Sequence, residues 1–272
     1  MIGNNNEKKI PTFPPLGDRG QLTVIGAGPG DVDLITLKAI KVLKTADVVL
    51  YDALVNKELL EFINPKAEQI FVGKRRGCYT YHQDQINELI IARASTNGHV
   101  VRLKGGDPFI FGRGAEEMEY AVGFGVEVAI VPGISSSLAV PAYQNIPLTK
   151  RGSAESFWVI TGTTKEHKIS DDIQLAAKSK ATIVVLMGMS KLPQIVKLFQ
   201  AEGKNNLPVA IIQNGTTPKE KIGIGTVDTI LEVVKKQDLR NPAIIVLGEV
   251  VKHREAILKV QLEQEVLLKE VV

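Results

Sequence analysis

The residues best suited to chemistry in this sequence stand in one stretch, Arg102-Leu-Lys-Gly-Gly-Asp-Pro-Phe-Ile-Phe-Gly-Arg-Gly114, where an apolar run gives way to glycines, one acid, one proline and three cations. Gly105 and Gly106 free the backbone for positive φ or for close approach of a ligand, and Pro108 stops a sheet from continuing. The combination suits a loop that binds something polar, the plainer alternative being an ordinary turn between a strand and a helix. Two other places gather charge. Gly73-Lys-Arg-Arg-Gly77 brackets three consecutive cations with glycines, which fits a polyanionic ligand as well as a solvated loop. Asp52 closes an apolar run, either as a functional carboxylate or as an Asx-type cap.

Several chemistries lack their residues. The four histidines are far apart, no H-E-x-x-H occurs, and the single Cys78 has no thiolate partner, so no metal site is expected and no internal disulfide can form. There is no G-x-S-x-G and no Walker-type phosphate loop. Gly26-Ala-Gly-Pro-Gly-Asp31 approaches a dinucleotide fingerprint but places Asp31 where the last glycine belongs, behind Pro29, which has no N–H for a phosphate. A net charge of +3 and 5% aromatic residues without a basic stripe argue against a nucleic-acid partner. No apolar run approaches the roughly 20 residues of a membrane span. Residues 1–20 lack a secretory signal's apolar core, so the cytoplasm is the expected compartment and 1–20 a flexible lead-in.

The elements that must position these residues alternate. Strands are expected at 21–25, 46–51, 68–72, 98–103 and 126–131, with helices at 34–44, after Asn56, at 83–94, at 114–122 and from the serines at 135–137 to about Gln144. Those serines are first of all helix caps that can also donate to a ligand. The acids at the start of the 114–122 helix suit its dipole. Beyond a hinge at 146–152 the alternation begins again, with strands at 156–160, 181–186 and 207–212, an edge strand at 220–225 and a strand at 241–247 that closes the sheet. Helices fill 190–201 and 226–236. The expected class is α/β, with domains at 21–150 and 151–251 and a helical tail at 252–272 that packs on the body or on a partner subunit. In an open parallel sheet the ligand crevice lies at the carboxyl ends of the strands, where the 105–114 loop stands.

Read together, Gly26-Ala-Gly-Pro-Gly-Asp31, Tyr51-Asp-Ala-Leu-Val55, Val72-Gly-Lys-Arg75, the 101–114 stretch, Val131-Pro-Gly-Ile134 and Gly248-Glu-Val-Val251 occur in an order that resembles the tetrapyrrole methyltransferases across residues 21–251. The resemblance implies two α/β domains with S-adenosylmethionine (SAM) in the cleft between them, usually in a homodimer. It implies transfer of two methyl groups to C2 and C7 of the tetrapyrrole uroporphyrinogen III, giving precorrin-2 and S-adenosylhomocysteine, for sirohaem or cobalamin synthesis. The alternative reading is a later precorrin methyltransferase of the same fold. By the same resemblance SAM contacts fall on Pro29, Gly105, Gly106, Asp107, Ile110, Ser135, Ser136, Met187 and Gly215, with Asp52 as proton acceptor and Lys74 as proton donor. Met187 is otherwise a plain core methionine. A polycarboxylate substrate makes Arg102, Lys104, Arg113 and Arg75 the cations expected to pair with it. Lys150 departs from the family, which commonly has His in that turn.

Overall fold

The computed structural model describes residues 20–73 and 81–270. Five strands, β1 (Gln21–Gly26), β2 (Val48–Tyr51), β3 (Glu68–Phe71), β4 (His99–Lys104) and β5 (Glu127–Val131), form a parallel sheet in the order β3-β2-β4-β1-β5. A parallel sheet is covered on both faces, which is why its strands read as continuous apolar runs. Leu22, Val24, Val48 and Leu50 pack on one face with Ile86, Ile90 and Ile91 of α2 (Gln83–Asn97, named with α1, Leu37–Leu43, in chain order). The alternate residues Ile25, Val49, Val101 and Leu103 pack on the other with Ala39 and Leu43 of α1. A third helix, α3 (Gly114–Gly123), follows the 105–113 loop, and α4 (Ser136–Tyr143) follows β5.

Two expected helices of the first half depart from the sequence reading. The helix placed at 34–44 starts at Leu37, because Thr36 accepts from the Ala39 N–H at 3.1 Å and caps it there, after a separate 3₁₀ turn at Val32–Leu34. The helix placed after Asn56 is a 3₁₀ segment, Lys57–Phe62, capped by Asn56. Pro65 disfavours helical backbone at Asn64, so this segment has no room to lengthen.

The second sheet contains β6 (Phe157–Thr161), β7 (Thr182–Leu186), β8 (Pro208–Gln213), β9 (Lys221–Thr226) and β10 (Ala243–Leu247) in the order β6-β7-β10-β8-β9. Only β6 and β7 pair in parallel; β10 runs antiparallel to both β7 and β8, and β9 antiparallel to β8. β9 is an edge strand as expected, but the 241–247 strand does not close the sheet. It lies in the middle, with Ile245, Val246 and Leu247 fully buried. The link from β8 to β9 is too short for a crossover, so that pair must be antiparallel. Helices α5 (Asp172–Lys178), α6 (Leu192–Ala201) and α7 (Ile230–Gln237) complete this half.

Helix α4 packs on β7 and β10, and its Val140, followed by Ile146, joins a core with Ala210, Ile212, Ile244 and Val246. The chain therefore changes core just after β5, ahead of the 146–152 stretch. The last helix, α8 (His253–Glu270), has Ile257 and Leu258 half-buried, while Val260 and Leu262 are 52% and 62% exposed. Among the described residues no helix is long and apolar enough to cross a membrane.

Candidate active site

Because the first sheet is parallel, the loops after β1, β2, β4 and β5 emerge at one edge, and glycine lets three of them touch. A Cβ added to Gly26 would stand 2.4 Å from Gly133 Cα, and one added to Gly133 would stand 2.3 Å from the Gly106 carbonyl oxygen. Gly106 N–H donates to Gly28 O at 2.7 Å, and Gly28 N–H returns a bond to Gly106 O at 3.2 Å. Gly106 has φ +67°, and a Cβ there would meet nothing nearer than Ser136 N at 3.9 Å, so its open side faces the start of α4. Asp107 fastens the loops: Oδ1 accepts from Phe109 N–H at 2.8 Å and Oδ2 from Gly133 N–H at 3.0 Å. Ser135 caps α4, its Oγ 3.3 Å from Ser137 N and 2.8 Å from Ser137 Oγ, and Ser136 is the helix's first residue. Ile110, in the turn closed by its N–H on Asp107 O, is exposed together with Phe109 and Phe111.

Beside this junction lies a charged group that the sequence does not reveal. Asp52 follows β2, and among the described residues its side chain caps no backbone N–H; Oδ1 accepts from Arg102 Nη2 at 2.6 Å, and Oδ2 is 4.0 Å from Lys104 Nζ. The adjacent 3₁₀ segment is capped by Asn56 instead, which removes the cap reading of Asp52. Arg102 and Lys104, expected to reach substrate, point along β4 into the domain with side chains 2% and 5% exposed, and Glu117 of α3 takes them both. Their charges are engaged inside the fold, so neither is free to pair with a ligand carboxylate. Burial works against the Arg102 charge, but Glu117 and Asp52 outweigh it and raise the guanidinium's pKa. Burial, together with the Arg102 charge, holds Lys104 below the usual lysine value despite Glu117 and Asp52.

The remaining cations differ. Arg113 has φ +61°, precedes α3, and is exposed in a bidentate pair with Glu116 at 3.0 and 2.7 Å. Lys150 is exposed, with Nζ 2.9 Å from His253 Nδ1 at the start of α8. Lys74 and Arg75, the expected proton donor and a substrate cation, lie outside the described residues.

Loops of the second sheet meet the first at the 26–31 loop. Asp31 N–H donates to Thr216 Oγ1 at 3.1 Å, a Cβ on Gly30 would stand 3.1 Å from Gly215 O, and a Cβ on Gly215 would stand 2.3 Å from Val140. Half-buried Pro29 and Gly215 are thereby brought to the same seam. Met187 is not a core methionine: it follows β7 with φ +56°, is 50% exposed, and its carbonyl accepts from Thr163 Oγ1 at 3.0 Å.

Two α/β units thus meet by their loops over a glycine-lined sheet edge, with a carboxylate held beside it. The chain belongs to the tetrapyrrole (corrin/porphyrin) methylases, whose family model matches residues 21–231. It is 44% identical over 234 residues to a uroporphyrinogen-III C-methyltransferase of Methanocaldococcus jannaschii, covering 85% of this chain and 97% of that protein. It is 46% identical over 242 residues to siroheme synthase 2 of Pectobacterium atrosepticum, covering 89% of this chain but only 52% of that protein. Among solved structures, a Thermus thermophilus uroporphyrin-III C-methyl transferase complexed with S-adenosylhomocysteine superposes with a TM-score of 0.74 at 38% identity, covering 86% of this chain and 99% of that one.

Proposed function

We propose that the chain transfers methyl groups from SAM to C2 and C7 of uroporphyrinogen III, giving precorrin-2 and S-adenosylhomocysteine, and that it does so as a cytoplasmic homodimer. The observation that carries this is Asp52, held at a strand end by Arg102 and still 27% exposed, beside the glycine junction. The similarity to a uroporphyrinogen-III C-methyltransferase over nearly its whole length supports the same reading.

The residues present fit SAM. Gly106 offers an open side toward the start of α4, and Met187 offers an exposed thioether on a left-handed backbone. Pro29, Gly105, Gly106, Asp107, Ile110, Ser135, Ser136, Met187 and Gly215 would hold it. When bound, SAM supplies an electrophilic methyl group. The chain's own part is alignment and proton handling. Each methylated ring carbon is quaternary and carries no hydrogen, so Asp52 accepts the proton that the cationic ring loses from a neighbouring nitrogen or bridging carbon, one per methyl transferred overall, and Lys74 acts as proton donor where a double bond shifts. Arg113 and Arg75 pair with substrate carboxylates. Arg102 and Lys104 serve Asp52 rather than the substrate. The product is one that sirohaem and cobalamin synthesis both consume.

The test is anaerobic incubation of the protein with uroporphyrinogen III and SAM labelled in its methyl group. Label appearing in the tetrapyrrole supports the reading, and label left entirely in SAM contradicts it. Light scattering after size exclusion tests the dimer, for which twice the chain mass is expected.

A further inference from the structure

We infer that Glu117 is a positioning residue for Asp52 and acts through Arg102, an inference resting on the proposed role of Asp52 as proton acceptor. An acid in the first turn of a helix ordinarily faces water, where the dipole alone would favour it. Glu117 is instead 0% exposed. Its Oε1 accepts from Arg102 Nε at 3.1 Å, from Lys104 Nζ at 2.9 Å and from Gln83 Nε2 at 3.1 Å, while Oε2 lies 3.0 Å from Lys104 Nζ.

The guanidinium is planar, so contacts on its several edges fix both its position and its plane. Glu117 holds Nε, Leu50 O and Leu103 O accept from Nη1 at 3.4 and 3.2 Å, and Nη2 is left to meet Asp52. One carboxylate oxygen of Asp52 is thereby pinned while the side chain stays 27% exposed toward the loops. Glu117 is fully buried, and of its partners Gln83, Arg102 and Lys104 it is Arg102 and Lys104 that reach toward Asp52, so its influence on the reaction travels through them.

The charges balance, with two carboxylates against two cations. Removing Glu117 would leave two buried cations facing the one partly exposed carboxylate, and their repulsion would displace Arg102 from Asp52. Buried ion groups of this kind are poor sources of stability compared with apolar packing. Orientation of Asp52 is therefore the use that the geometry gives to this one.

The test is a kinetic cycle on the full chain with SAM and uroporphyrinogen III. Glu117→Gln should lower kcat on the order of 10- to 100-fold, the scale of a misplaced reacting group, while SAM affinity and the KM for substrate stay within about twofold. The double variant with Asp52→Asn should be no slower than Asp52→Asn alone, because both changes disable one device. Glu117→Asp, which keeps the charge on a shorter arm, should recover part of the loss, and it carries the same cycle if Glu117→Gln does not fold. Losses that multiply in the Asp52→Asn background, or an unchanged kcat in a folded Glu117 variant, overturn the inference. A wild type that leaves uroporphyrinogen III unmethylated contradicts the functional reading instead. The coupling is then read from the Asp52 carboxyl resonance at neutral pH, whose position in Glu117→Gln moves from wild type if Glu117 sets the Arg102 contact and superimposes on it if not.

Discussion

Tyr143 donates a 2.7 Å hydrogen bond to Asp31, joining the loop after β1 to the helix that packs on the second sheet. The bond with Tyr143, and next the Asp33 N–H, lower the Asp31 pKa from its ordinary 3.8, while the same bond raises Tyr143 from 10.0. The lowered acid contributes stability above pH 3.8 that is lost as pH falls through its folded pKa. The raised phenol contributes stability below pH 10.0 that is lost as pH rises through its own. Tyr143 is exposed and Asp31 only half-buried, so Tyr143→Phe should cost only a few tenths to about 1 kcal/mol at neutral pH. Thermal melts compared at pH 7 and near pH 3 check it: the deficit of Tyr143→Phe should shrink in acid, and a deficit independent of pH would mean that the Asp31 charge does not strengthen the bond.

Gly106→Val should weaken SAM binding at least tenfold by calorimetry. The branched side chain would occupy the open side facing Ser135 and Ser136, on a backbone at φ +67° that costs a β-branched residue strain. Asp107→Ala should weaken it as well, by releasing Gly133 N–H and Phe109 N–H and so loosening the junction. Wild-type affinity in a folded Gly106→Val protein would reduce the loop to a turn.

Gly215→Ala should act on the fold first. The added Cβ would stand 2.3 Å from Val140, a buried member of the second core, and overpacking of this kind costs about 1–3 kcal/mol. Chemical denaturation should show the loss in the absence of any ligand. An unchanged midpoint would mean that Val140 moves aside freely.

Asp52→Asn should fold and bind SAM near wild-type affinity while product formation falls roughly 100-fold or more, the scale of a lost general base. With the cap role taken by Asn56, a stability loss in this variant would be assigned to Arg102, left with Glu117 as its carboxylate partner. Turnover matching wild type would send the proton elsewhere.

Strand positions, the parallel first sheet and the loops at its carboxyl edge were legible in the sequence because apolar runs ending in glycine are strong local signals. The place of β10 was not, since antiparallel insertion between β7 and β8 is a long-range choice that no local pattern encodes. Arg102, Lys104 and Glu117 show the same limit. Alternation along β4 gives no sign that two cations turn inward, and Glu117 reads as a solvated helix-start acid until α3 is laid against the sheet. Met187 misled in the opposite direction, because its left-handed exposed backbone depends on the strand end and not on residue type.

The most direct test of the central claim is the product's mass. Purified protein is incubated anaerobically with excess SAM and uroporphyrinogen III, and both products are weighed and counted. The account predicts a tetrapyrrole that has gained two methyl groups and lost two protons, heavier by two CH2 units, and two equivalents of S-adenosylhomocysteine per molecule. Unchanged uroporphyrinogen III, while a later precorrin gains a methyl group under the same conditions, would contradict it.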